Sequence, residues 1–235
     1  MPRPSSSSGR RLAGCAGCAG CWLALWLLVF AGQPAQAQAR PGAPLEVIAP
    51  LANDATLGVF IEHAGSADAE LRADAELCRW ALDDWVGHSA GRLSVAAADE
   101  ADAIIRVYFD ALRAGQYGEM RPILVEGRRG AEVYVRAETD TLGEVIAAAA
   151  QADPLLRETI VYLTCLHEIG HALGMMHTAE FEDVMYFFGF GGDIEAFFGR
   201  YRAGLESRAD IARQSGLSAG DIAQLLAAYP EDQVL

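Results

Sequence analysis

Three of the chain's five histidines fall within the eleven residues His167–His177, "HEIGHALGMMH", and no other feature of the 235-residue sequence constrains the fold as tightly. His167 and His171 are four residues apart, so on a helix their rings share one face, a turn apart. Two imidazoles in that relation can hold one zinc ion at nitrogen distances of about 2.0–2.1 Å. His177 is the third candidate ligand, and a continued helix would carry it away from the other two. Gly174 removes the difficulty, because a residue that tolerates positive φ lets the helix stop and the chain reverse. Glu168 is rotated about 100° from His167, outside the ligand set but near enough to reach a water beside the ion and take its proton. Three histidines, a glutamate and a glycine at these offsets should arise by chance on the order of once in 10⁵ such chains. A lone His-Glu-x-x-His is far commoner and would carry less weight.

The flanking sequence predicts an α+β domain. Asp153-Pro154 supplies an N-cap and a first-turn proline for a long helix running through Leu173. Upstream, Leu71, Ala75, Cys78, Leu82 and Trp85 form an apolar stripe on a helix from Ala67 to about Gly87. Residues 56–63, 92–98 and 101–110 read as strands, and 111–120 as a loop. Two more strands, 121–127 and 131–138, flank a turn at Arg128-Arg129-Gly130, with Pro122 opening the first as suits an edge strand. Residues 178–216 read as irregular apart from a helix near 194–205. A last helix begins at Ser218, where Asp221 completes a capping box.

The N-terminus reads as an export signal. Arg3, Arg10 and Arg11 precede an uncharged run from Leu12 to Gly32, followed by Ala-x-Ala at residues 35–37 and 37–39. The expected organisation is a signal peptide over 1–39 and a single domain over 40–235, exported to a periplasm or outside the cell. The uncharged run is roughly long enough to span a bilayer, so a retained anchor is the alternative. Cys15, Cys18 and Cys21 have metal-site spacing but lie inside this segment, where no folded cage forms.

Residues 1–39 contain three of the 18 basic residues and none of the 32 acids, so the formal charge of −14 becomes −17 in the remainder. There is no lysine. Such a surface argues against nucleic acid or anionic membranes as partners. Cys78 and Cys165 alone remain after cleavage, and the sequence leaves open whether they pair or stay as two buried thiols.

His-Glu-x-x-His-x-x-Gly-x-x-His resembles the zinc signature of the metzincin metallopeptidases. The resemblance is greatest to the matrixin, or matrix metalloproteinase, branch, through "HEIGHALGMMH", Tyr186 directly after Met185, and the closing "LSAGDIAQLLAAY". It implies a zincin-like catalytic domain: a twisted, mostly parallel sheet with an antiparallel edge strand, a long active-site helix and a small C-terminal subdomain ending in a helix. It further implies a monomeric zinc endopeptidase acting on protein or peptide, with His167, His171 and His177 as ligands and Glu168 as general base. Met185 would form the methionine turn. Ile123, Leu124, Val125 and Tyr186 would contact substrate.

The chain also departs from that family's pattern. "ALRAGQYGEM" lacks the histidines that would hold a second, structural zinc, so one catalytic ion is expected and calcium sites are left open. Phe187 stands where the family has proline. The competing reading is a zinc-bearing, non-proteolytic binding or inhibitory module on the same fold. The aromatic group Phe187, Phe188, Phe190, Phe197, Phe198 and Tyr201 is either a substrate pocket wall or ordinary packing. His63 and His88 are read as isolated.

Overall fold

A computed structural model describes residues 49–231 apart from 55, 111, 113 and 114. The export segment assigned to 1–39, and most of the leader that follows it, lie outside the described residues. Among the described residues no helix is long and apolar enough to cross a membrane.

Two-residue alternation builds the sheet. In β1 (Leu57–Ile61) and β3 (Ile105–Phe109), Leu57, Val59, Ile105 and Val107 are buried, while the residues between them point to the other face. With β2 (Val95–Ala97), β4 (Gly118–Val125) and β5 (Arg128–Val135), the order is β2-β1-β3-β5-β4. All neighbours are parallel except β4, which runs antiparallel to β5 at the edge. The class is α+β, with a mostly parallel five-stranded sheet.

The edge hairpin differs from its expected register. β4 starts at Gly118, inside the segment read as a loop, and Pro122 lies mid-strand opposite Ala131. Its missing donor is tolerated because an edge strand has one unpaired side. The turn is Glu126-Gly127 rather than Arg128–Gly130, with φ of 51° and 81°. Positive φ at both central residues gives a two-residue turn whose twist matches the flanking strands.

Helix α1 (Ala69–Gly87) is capped by Asp68, whose side chain accepts from the Glu70 and Leu71 amides. It buries Ala75, Cys78, Leu82 and Trp85, but Leu71, in the first turn, is 39% exposed and leaves the predicted stripe. Helix α2 (Glu144–Ala152) was not expected: only Ile146 and Ala150 are buried, so its alanine run carries helix propensity without an apolar stripe. Helix α3 (Pro154–Ala172) follows directly, capped by Asp153 through the Leu155 and Leu156 amides. The segment read as irregular contains α4 (Ile194–Arg202) where a helix was expected, and also a single turn, α5 (Arg208–Ile211), closed by a Ser207/Asp210 capping box. Helix α6 (Ala219–Ala228) begins at the Ser218/Asp221 box.

α1 is fastened along α3. Cys78 and Cys165 form a disulfide with Cα atoms 5.1 Å apart. Arg157 Nη2 donates to the buried Asp74 carboxylate at 2.8 Å, and Trp85 Nε1 donates to the Leu166 carbonyl at 2.8 Å. All three ties lie on the turns leading to His167.

Candidate metal centre

α3 delivers the first two imidazoles and then stops. The Met175 amide donates to the Gly170 carbonyl at 2.9 Å and the Gly174 amide to the His171 carbonyl at 3.0 Å. This pair of bonds closes a helix around a residue of positive φ, and Gly174 has φ 95°. A Cβ at Gly174 would also lie 2.7 Å from Pro50 Cα, so space as well as conformation calls for glycine.

The reversed chain brings His177 back to the pair. Its Nε2 is 3.3 Å from His167 Nε2 and 3.1 Å from His171 Nε2. His167 Nδ1 lies 2.7 Å from the Val184 carbonyl and His171 Nδ1 2.9 Å from the Met175 carbonyl. Each Nδ1–H therefore donates to a carbonyl, and each Nε2 lone pair faces the other rings. Zinc–nitrogen distances near 2.0–2.1 Å in a tetrahedron put ligand nitrogens roughly 3.3 Å apart. The three histidines form a cluster that can hold a metal ion, and the donor spacing fits zinc. Burial, helped by repulsion between the imidazoles, lowers His167 to about 3 and His171 to about 4, and burial also lowers His177. All three rings are thus held neutral, the form that ligates.

Glu168 lies beside the cluster, buried. Burial, then the nearby Glu119 carboxylate, pushes its carboxyl up to about 8, against a hydrogen bond from the Met120 amide. The edge strand presses flat on this side chain. A Cβ at Gly118 would come within 2.5 Å of Glu168 Cγ and 2.7 Å of Oε1. Gln116 Nε2 donates to the Gly118 carbonyl at 3.2 Å, steadying the strand end. Neither contact is visible in sequence, because Gly118 falls in a stretch with weak strand character, about 50 residues from its partner.

Met185 is fully buried beneath α3. A Cβ at Gly170 would lie 2.6 Å from Met185 Sδ and 2.9 Å from the Trp85 ring, so this helix position admits only glycine without displacement. α6 supports both segments that orient the ligands. The Asp221 carboxylate accepts from the amides of Val184 at 2.8 Å, Met185 at 3.2 Å and Ser218 at 2.9 Å. Gln224 brackets Met176, accepting from its amide and donating to its carbonyl. The local sequence marks Asp221 only as half of a capping box; its reach to residues 184 and 185 is a tertiary contact without a local signal.

A cleft of about 360 Å³ opens beside the cluster, with His167, Glu168 and His177 on its lining. Its strand side is Gly115–Gly118, and its far wall includes Phe188, Phe197 and Phe198. Of the aromatic group, Phe197 and Phe198 belong to the core and Tyr201 stacks on Tyr162, while Phe187 and Phe190 stay exposed. Tyr186 lines the cleft, its hydroxyl donating to the Gly191 carbonyl at 3.0 Å. Ile123, Leu124 and Val125 do not line it: they occupy the opposite end of β4, with Leu124 exposed and Val125 buried. Because the strand begins three residues before Arg121, its first residue, Gly118, meets the cleft instead. His63 packs on Phe109 and His88 caps α1 beside Asp84, both outside the cluster. Comparison with known protein families and with curated proteins returns no match for this chain.

Proposed function

We propose that the protein is an exported zinc-dependent endopeptidase of the metzincin type, most similar to the matrixins. The observation that carries this reading is the convergence of three imidazoles, with His177 Nε2 within hydrogen-bond distance of the other two Nε2 atoms, beside a buried glutamate at the lip of an open cleft. The buried Met185 beneath α3 and the antiparallel edge strand that starts at the cleft with Gly118 support it.

A zinc ion held by His167, His171 and His177 would supply Lewis acidity toward a water and the scissile carbonyl. The remaining work belongs to the chain. An extended substrate lies along the outer edge of β4 beside Gly118, and an apolar side chain enters the aromatic-walled cleft. Glu168 acts in its ionised form, which a divalent cation at the three histidines would favour against the burial that raises its pKa. It accepts the proton of the attacking water and passes it to the departing amine. Gly118 and the Met120 amide hold that carboxylate in place for both transfers.

The test is digestion of unfolded casein and a peptide library by the secreted protein. Cleavage should vanish with a chelator, return with Zn²⁺, and fall by about 10²–10⁴-fold in Glu168→Ala while zinc content is unchanged. Chelator-insensitive cleavage, or undiminished cleavage by Glu168→Ala, refutes the proposal.

A further inference from the structure

The three imidazoles are not held alike. His167 and His171 each donate from Nδ1 to a backbone carbonyl, whereas the contact that faces the His177 ring is an aromatic one. The Phe187 ring stands 4.7 Å from it, centroid to centroid, at 31° between planes. The backbone enforces this pairing, since the Phe187 amide donates to the carbonyl of Thr178, directly after His177, at 3.1 Å, and the Thr178 amide donates to Met185 at 2.9 Å. Beneath Phe187 lies Gly189, where a Cβ would come within 2.1 Å of Phe187 Cε1 and 2.3 Å of Cζ. The ring is therefore seated on glycine on one side and set against the imidazole on the other. It stays 42% exposed, so core burial alone does not account for its position.

We infer that Phe187, seated on Gly189, is a positioning residue for His177, orienting the most exposed of the three ligands by ring stacking where the other two are oriented by carbonyls. An imidazole gains positive character when it ligates a cation, and the face of a neighbouring aromatic ring then attracts it more strongly. Stacking thus favours the metal-loaded arrangement, whereas an aliphatic side chain of similar bulk would only fill space.

This inference rests on the metal-site reading and is tested by Zn²⁺ competition against a chromophoric chelator, with Co²⁺ absorption reporting ligand geometry. Replacing an outer partner of a metal ligand commonly costs 10–100-fold in affinity, so Phe187→Leu should weaken Zn²⁺ binding about tenfold and alter the Co²⁺ spectrum. Phe187→Tyr should keep the wild-type affinity, and Gly189→Ala should reproduce the loss with every ligand and aromatic ring intact. Val145→Ala, at an apolar site 65% exposed on α2, should change nothing. Wild-type affinity in Phe187→Leu and Gly189→Ala, or equal losses in the Tyr and Leu variants, overturns the inference. If Phe187→Leu fails to fold, the Tyr and Gly189 variants decide it. Failure of the wild type to bind Zn²⁺ would instead overturn the metal site itself.

Discussion

The two sides of the cleft are held by different physics. On the α3 side, the constraints are covalent, ionic and backbone-directed: the Cys78–Cys165 disulfide, the Arg157–Asp74 pair, the Trp85 bond to Leu166, and the paired bonds around Gly174. On the wall formed by residues 181–201, ring meets ring. Phe181 and Tyr186 are 5.2 Å apart, Phe188 and Phe197 5.0 Å, and Arg200 lies 5.2 Å over Phe197. Aromatic pairs contribute about 0.5–1.5 kcal/mol each beyond burial, and one ring can be exchanged for another of similar volume. The α3 contacts set positions to within a bond length, while the wall sets only shape and polarity. On the proposed reading, reactive geometry belongs chiefly to the first side and side-chain preference to the second, whose rings other than Phe187 can vary without disturbing the three histidines.

The comparison breaks most sharply at the disulfide. Cys78 and Cys165 are 87 residues apart, and opening a loop of that length costs about 4 kcal/mol. Urea unfolding of the Cys78→Ala/Cys165→Ala protein should show that loss; a loss under about 1 kcal/mol would mean that α3 is no more firmly held than the wall. Next comes Asp221→Ala, which strips the acceptor from three amides around a fully buried carboxylate. Unsatisfied buried donors cost about 1–3 kcal/mol each, and with partial solvent entry the expected total is about 3 kcal/mol. Zn²⁺ affinity should fall alongside, because the Val184 carbonyl that orients His167 moves with its amide.

Gly118→Ala separates geometry from stability. The new methyl meets the Glu168 carboxylate rather than the core. A misplacement of about 1 Å at a reacting group costs on the order of 10²-fold in rate, equivalent to about 2.7 kcal/mol in the barrier. Peptide turnover should fall by that factor while unfolding free energy and zinc content hold. A fall in zinc content instead would show that the strand supports the ligands and not the base.

What the sequence disclosed follows the range of each interaction. The helix carrying His167 and His171, its Asp153 cap and its stop at Gly174 are local, and were legible from spacing and cap chemistry. The β1 and β3 strands were legible from β-branched and aromatic content. α2 was not, because its exposed alanines leave no apolar period. The start of β4 is hidden in the sequence because Gly118-Glu119-Met120 has little strand propensity and is recruited by pairing with Val133–Val135. The residues that complete the site, Gly118 against Glu168, Asp221 under Met185 and Phe187 against His177, act across the fold or through ring geometry. No periodicity encodes such contacts.

The smallest effect tests the wall's independence. Tyr186 is buried, its ring edge-on to Phe181 and Phe188, and its hydroxyl donates to the carbonyl of Gly191. Tyr186→Phe keeps both ring contacts and removes one neutral hydrogen bond, worth about 1 kcal/mol. The loop 187–191 loses one tie, while Phe187 keeps its backbone bond to Thr178 and so its place against His177, and His167, His171 and Glu168 are fixed by α3, β4 and α6. The expected result is a stability loss of about 1 kcal/mol and a rise in KM for peptides with large apolar side chains of about two- to threefold, with kcat unchanged. A fall in kcat would mean that the wall reaches the reacting groups, and a stability loss rivalling the disulfide's would mean that its rings form one cooperative unit with α3. In either case the division between a fixed floor and an exchangeable wall would have to be abandoned.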